Sequence, residues 1–317
     1  PIREVHYAMG TLLDIALFHE DREEGKRIPR RCFQEARRLE ALLSAYDEES
    51  GLSRLNQKAG LGPVEVEEDL FTILSTSLDL SRRTEGAFDP TIGPLLDLWQ
   101  RAVEQGTSPD GLTLKKALSL VGGSKVRLLP RRRVELCEKG MRLDLGGIGK
   151  GYAVDRIVKH LKEEGIRRAF VNFGLSSLSA FGSPPGAEAW PILIRGFHDG
   201  EFTGVLGLKD LALSASGTFG RSFRIDGKRY GHLLDPRSGF PLDGPAIGVA
   251  LAPTATEAEA LSSALLVLGR EQGLHLIQRS PPSEGLYLDP QGTIWVTPGI
   301  GTVIPFEAAP GWEVKGP

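Results

Sequence analysis

The sequence predicts an α+β fold, and three observations carry that prediction. Amphipathic helices concentrate early in the chain, short strands concentrate between residues 167 and 252, and no regular strand–helix–strand alternation connects them. The composition is that of a globular protein: 317 residues, 40% hydrophobic and 25% charged, enough for one large domain or two moderate ones. Residues 1–304 read as a single domain. Residues 305–317, rich in Pro and Gly, read as a loose tail.

Each element has a local reason. Residues 5–18 alternate as a strand pair or one long strand, ending in Thr11 to Phe18. Phe33, Ala36, Leu39 and Leu43 recur at helical spacing and predict a helix over 30–44; Leu70, Ile73, Leu74 and Leu78 predict another over 67–83. Ala153, Val154, Ile157, Val158 and Leu161 predict a third over 150–163. Short strands follow at 169–173, 192–194 and 204–208. Asp226-Gly227 turns a hairpin of Phe223–Ile225 against Arg229-Tyr230. A strand at 247–252 feeds a helix at 256–268, and a last hairpin pairs 285–288 with 293–296.

Charge and rare residues exclude several classes. With 38 Lys+Arg against 41 Asp+Glu the net charge is −3, without the basic surplus that nucleic-acid binding needs. Arg131-Arg132-Arg133 reads as a solvated hairpin edge. Cys32 and Cys137 read as two inert thiols, too few for a disulfide framework or a four-thiolate zinc site. The six histidines show no H-x-x-x-H spacing, and no apolar run nears the ~20 residues of a membrane span.

Three stretches carry candidate chemistry. In Leu143-Asp144-Leu145-Gly146-Gly147-Ile148-Gly149-Lys150-Gly151-Tyr152, four glycines separate a short apolar strand from a helix. Such a loop exposes backbone N–H groups at a helix start, where an anion is favoured, and Lys150 adds a cation. It suits a phosphate or pyrophosphate, or serves as a tight turn that binds nothing; its spacing is neither that of a Walker loop nor that of the dinucleotide fingerprint. In His232-Leu233-Leu234-Asp235-Pro236-Arg237-Ser238-Gly239, a histidine leaves a strand near a carboxylate. It is an acid–base or anchoring candidate, or part of an Asx turn. Glu259 and Ser263 lie four apart on an otherwise apolar helix. A carboxylate with a hydroxyl suits a hard cation, or is a dipole-favoured acid beside a packing serine. Two smaller segments join them: Gly86-Ala87-Phe88-Asp89-Pro90-Thr91 running to Trp99, and Ser44 to Asn56, where Tyr46 offers a stacking ring.

In order along the chain, Met9-Gly10-Thr11, Ser44–Asn56, Gly86–Trp99, Leu143–Asp155, Ser216-Gly217, His232–Pro241 and Ala258–Gly269 resemble the FAD:protein FMN transferase (ApbE) family. The resemblance implies a main body plus a smaller lobe, with mixed or antiparallel sheets, packed helices and FAD in the cleft between. It implies Mg²⁺-dependent transfer of FMN from FAD to a threonine hydroxyl of a target protein, with release of AMP. The acceptors would be flavin-carrying subunits of sodium-pumping NADH:quinone reductases or Rnf-type complexes. The location would be the periplasm or the outer face of the bacterial inner membrane, with a lipid anchor on a removed N-terminal segment; no signal peptide opens this chain.

Residue by residue, the resemblance puts Met9 and Tyr46 beside the flavin, and Ala87, Phe88 and Asp89 on the adenosine or flavin side. Asp144, Gly146, Gly147, Lys150 and Tyr152 would cradle the pyrophosphate. His232 and Leu233 would line the reacting centre, with His232 and Lys150 as catalytic groups. The Gly149 carbonyl, Glu259 and Ser263 would hold the metal. Four places depart from the family pattern. Glu259 and Ser263 stand for Asp and Thr, and the Glu adds about 1.5 Å of reach. Gly149 stands for Ala, and Gly174-Leu175-Ser176 for Gly-Gly-Asp, which puts a leucine where glycine geometry is expected. These changes keep an alternative in view: a protein that holds or scavenges FAD through a weakened metal site. Hydrolysis of FAD by water is a third reading.

Overall fold

Segments apolar on both faces of the strand need cover on both sides, and in this chain they line up side by side. In the computed structural model, which describes residues 1–218 and 222–316, they lie in the interior of a nine-stranded sheet. Its order is Ile2–Ala8, Thr11–Leu17, Ala169–Phe173, Ser177–Phe181, Leu211–Gly217, Ile247–Ala252, Glu284–Leu288, Thr293–Val296 and Glu313–Lys315. Every pairing is antiparallel except the last. Ile247–Ala252 is buried at all six positions, and so is Ser177–Phe181 at all five, in spite of Ser177 and Ser179. The helices Gly149–Glu163, Ala255–Leu268 and Arg270–Gln278 pack on these central strands. Burial on nearly every side explains why Ala255–Leu268 reads as uniformly apolar.

The chain divides into two compact units. The sheet and its helices belong to the first, made of Pro1–Glu40, Ile148–Gly217 and Pro245–Pro317. The second is Ala41–Gly147 with Thr218–Gly244. In it the helix Gly93–Gln105 packs Leu95, Leu98, Trp99 and Ala102 against Leu114, Ile225 and Leu234. The Trp99 indole donates to the Gly239 carbonyl at 2.8 Å and lies among Phe223, Tyr230 and Phe240.

Several expectations change. The stretch before the glycines is not a strand: the Asn56 side chain bonds both the N–H and the C=O of Leu143, at 2.7 and 3.0 Å, in place of a neighbouring strand. The Gly- and Pro-shaped segment at 93–99 opens a helix, because proline in a first turn lacks only an N–H that has no intrahelical partner. The tail is structured: Phe306–Ala308 pairs with Phe202–Leu208, and Glu313–Lys315 with Thr293–Val296. Both thiols are free, and burial pushes Cys32 up to about 12.

Leu175 sits at φ 59°, in the connection between Ala169–Phe173 and Ser177–Phe181, and is 60% exposed. An L-residue with a side chain is strained there and gains no burial to compensate. Leu175→Gly should therefore stabilise the protein by about 1 kcal/mol despite the added freedom of the unfolded chain. A urea midpoint shifted upward would show this; a downward shift would mean that the leucine is not strained.

Candidate active site

The first unit is organised around one buried carboxylate. Glu259 is 4% exposed and lies in the second turn of Ala255–Leu268. Its Oε2 accepts the N–H of Gly151 at 2.8 Å, near the start of Gly149–Glu163. Its Oε1 is 2.9 Å from the Lys150 ammonium and accepts the Ser177 hydroxyl in a short hydrogen bond. The carboxylate thus receives one fixed backbone donor, one buried hydroxyl and one mobile cation. A charge buried this deeply needs such partners, since desolvation alone would disfavour it.

The contact is reciprocal. Asp155, one turn beyond Gly151, accepts the N–H groups of Ala255 and Thr256 at 2.7 and 2.9 Å, together with the Thr256 hydroxyl. Each helix therefore supplies a carboxylate to the free N–H groups at the other's start. Burial raises the Asp155 pKa, opposed by these hydrogen bonds, and the Glu259 charge raises it further. Ser263 lies one turn beyond Glu259 and is half-buried; among the described residues its hydroxyl has no hydrogen-bond partner. Ser262 is the engaged one, bonded to Ser214 and Ser216 at 3.0 and 2.9 Å.

Gly149 opens its helix, and Ile148 is its N-cap residue without a side-chain cap. Among the described residues the N–H groups of Ile148, Gly149 and Lys150 have no hydrogen-bond partner. The Tyr152 N–H bonds the Ile148 carbonyl, and the residue is 7% exposed. Met9, half-buried, makes with Gly10 the two-residue turn between the first two strands, at φ 47° and 74°.

In the second unit, Asp144 accepts the N–H of Gly146 at 2.8 Å and gives its own N–H to Pro90. Gly146 and Gly147 are exposed, and Phe88 packs beneath Gly147, where a Cβ would lie 3.6 Å from its ring. Ala87 and Phe88 are buried. Asp89 is internal as well. Its Oδ1 accepts the N–H and hydroxyl of Thr91, at 2.8 and 2.5 Å; its Oδ2 accepts Ser81 Oγ and Gly123 N–H, at 3.0 and 3.1 Å. The carboxylate pins a helix end, a loop and a second loop together, so it shapes the loop and is not a free ligand. Asp89→Ala strands four donors and should cost about 2 kcal/mol of stability; a shift under a quarter of that in urea unfolding would refute the pin.

Tyr46 is 88% exposed, on a turn held by Ser44, whose hydroxyl accepts the N–H groups of Tyr46 and Asp47 and whose carbonyl accepts Ser50 Oγ. His232 is exposed and Leu233 half-buried. Asp235 accepts the backbone N–H and the guanidinium of Arg237, at 2.9 and 3.0 Å, so this acid organises the turn after the histidine. Sequence reasoning missed Ser177 and Asp155. Ser177 leaves no sequence signal. Asp155 does leave one: Gly151 to Asp155 and Ala255 to Glu259 are the same four-residue step from a residue in the first turn of a helix to an acid.

This architecture has solved counterparts. The crystal structure of the ApbE protein of Thermotoga maritima matches with a TM-score of 0.83 and 29% identity, covering 92% of this chain and 96% of that one. The flavin transferase ApbE of Vibrio cholerae matches with a TM-score of 0.79 at 22% identity, a likeness of fold. The fold is thus that of the ApbE proteins. The ApbE family pattern itself matches residues 9–287. The FAD:protein FMN transferase of Treponema pallidum is 33% identical over 280 residues, 82% of this chain and 76% of that protein. The one from Escherichia coli K12 is 32% identical over 251 residues, 75% of this chain and 70% of that protein. The chain belongs to the ApbE family.

Proposed function

We propose that this protein is an FAD:protein FMN transferase. The observation that carries the reading is the family pattern over residues 9–287 together with a buried carboxylate, Glu259, fixed at the start of the glycine-loop helix. In the reaction a threonine hydroxyl of the acceptor attacks the phosphorus that bears FMN. The new O–P bond forms, the bond to the bridging oxygen of the pyrophosphate breaks, and AMP leaves with that oxygen. Such a displacement asks for charge neutralisation and alignment more than for covalent help from the protein.

The free N–H groups of Ile148, Gly149 and Lys150 take pyrophosphate oxygens, as helix starts do, and Lys150 adds charge. His232 takes the threonine proton, the general-base role that an imidazole can fill. The family resemblance assigns Met9 and Tyr46 to the isoalloxazine, and Gly146, Gly147 and Leu233 to backbone contacts with the substrate. The donor set fits Mg²⁺: the Glu259 carboxylate, the Ser263 hydroxyl and the Gly149 carbonyl are all hard oxygens. Among the described residues no group of three His, Cys, Asp or Glu could hold a metal by itself. A few protein oxygens completed by substrate phosphates and water are what this ion ordinarily takes. When bound, it supplies neutralisation of the developing charge on the phosphates.

The acceptor is a flavoprotein subunit with an exposed threonine, of the kind found in sodium-pumping NADH:quinone reductases or Rnf-type complexes. The reading places the enzyme on the periplasmic side of the inner membrane, and the family resemblance supports both statements. The FAD-holding alternative has less support, since the curated relatives are named as transferases. The test is incubation with FAD and Mg²⁺, with and without an acceptor domain, followed by separation of FAD, FMN, AMP and flavinylated protein. Equal amounts of AMP and covalent flavin are expected. Free FMN without acceptor would favour hydrolysis, and unchanged FAD would favour the holding reading.

A further inference from the structure

Of the three donors on Glu259, two are fixed. The Gly151 N–H is part of a helix, and Ser177 is fully buried in a central strand. Lys150 differs: its side chain is 24% exposed and its ammonium sits at the end of a flexible four-carbon stem. Together with Glu259 it forms a pair with no net charge. A divalent cation on the same carboxylate would sit within a few ångströms of that ammonium, and two positive charges so close, away from bulk water, repel strongly.

We propose that Lys150 is a displaceable counter-ion for Glu259. In the metal-free protein Lys150 neutralises the carboxylate and holds it, with Ser177 and Gly151, in one orientation. On cation binding Lys150 gives up Glu259, while Ser177 and Gly151 continue to orient it, and the released ammonium becomes available to an anionic substrate group. Lys150 and Ser177 are then positioning residues for Glu259, and one lysine has two successive partners. The inference rests on the reading of Glu259 as a cation ligand. It adds that cation binding and the freeing of Lys150 are one event.

The first arm of the test uses the intact protein at fixed pH and ionic strength, without FAD. Lysines are acetylated briefly with an amine-reactive ester, with and without Mg²⁺, and each site is quantified by mass spectrometry. Labelling of Lys150 should rise about fivefold with Mg²⁺, while Lys159 on the same helix should not change. Labelling that stays constant or falls overturns the proposal. The second arm measures Mg²⁺ binding by calorimetry for the wild type and Lys150→Met. The variant should bind about tenfold more tightly, because the competing cation is gone; equal or weaker binding counts against displacement. The flavin-transfer assay separates the two levels. If Mg²⁺ binds and flavin is transferred but Lys150 labelling does not move, displacement is wrong and the transferase reading stands. If Mg²⁺ does not bind and no flavin is transferred, both fail.

Discussion

Glu259→Ala should lower flavin transfer by on the order of 10³-fold while leaving most FAD binding in place. Glu259 accepts the Gly151 N–H through Oε2 and lies 2.9 Å from Lys150 through Oε1, so truncation removes the carboxylate proposed as the cation ligand. The rings and backbone groups assigned to FAD belong to other residues and stay. Truncation also leaves the Gly151 N–H and the Ser177 hydroxyl without an acceptor, which costs stability by about 1–3 kcal/mol for each buried group. Glu259→Gln controls for this. Its amide oxygen still accepts a hydrogen bond, so the variant should fold more stably than the alanine and transfer just as poorly. Glu259→Asp combined with Ser263→Thr, the family's usual pair, should keep or raise Mg²⁺-dependent turnover. Flavinylation rates, with FAD affinity from flavin fluorescence quenching, read all three variants. Normal turnover by Glu259→Ala would remove the metal assignment and with it the main mechanistic support for transfer.

Much of this was legible in the sequence because local signals and tertiary roles agree. The 3.6-residue spacing in 67–83 and 150–163 produced helices within a residue or two of expectation, and Asp226-Gly227 turned its hairpin with both φ values positive. The Glu259–Ser263 spacing singled out a helix whose acid does reach Lys150 and Gly151 at the start of Gly149–Glu163. What stayed hidden depends on contacts distant in sequence. Leu143 looked like strand because it is apolar, but its backbone is satisfied by Asn56, 87 residues away. Ser177 reads as one polar position in a strand until Glu259, 82 residues on, is seen to need its hydroxyl. Asp89 reads as a ligand only through the family resemblance, since its Gly- and Pro-shaped loop by itself reads as packing. Its four donors come from Ser81, Thr91 and Gly123, and none of that pattern is periodic. Leu175 marks the opposite case: the sequence flagged a residue out of place, and its backbone does lie in the glycine region.

The second large effect concerns Gly151. Helix propensity alone says that Gly151→Ala, inside Gly149–Glu163, should stabilise by about 1 kcal/mol. The structure says otherwise. A Cβ at this position would lie 2.4 Å from the Ala255 carbonyl oxygen, 2.6 Å from its carbon and 2.8 Å from the Thr256 nitrogen. All three are backbone atoms, so no side chain can swing aside; the helices must separate or the residue must strain. Overpacking of this kind outweighs the propensity gain, and a net loss of about 3 kcal/mol is expected. The same approach brings the Gly151 N–H within 2.8 Å of Glu259, and Asp155 within reach of Ala255 and Thr256. Separation of the helices would loosen both carboxylates together. Gly151→Ala should therefore lose Mg²⁺ affinity as well as stability, even under conditions where it remains folded. Calorimetric Mg²⁺ titration beside urea unfolding tests the linkage. A variant as stable as the wild type would show that the helices do not meet at Gly151, and a destabilised variant with unchanged Mg²⁺ affinity would show that Glu259 is positioned without the Gly151 contact.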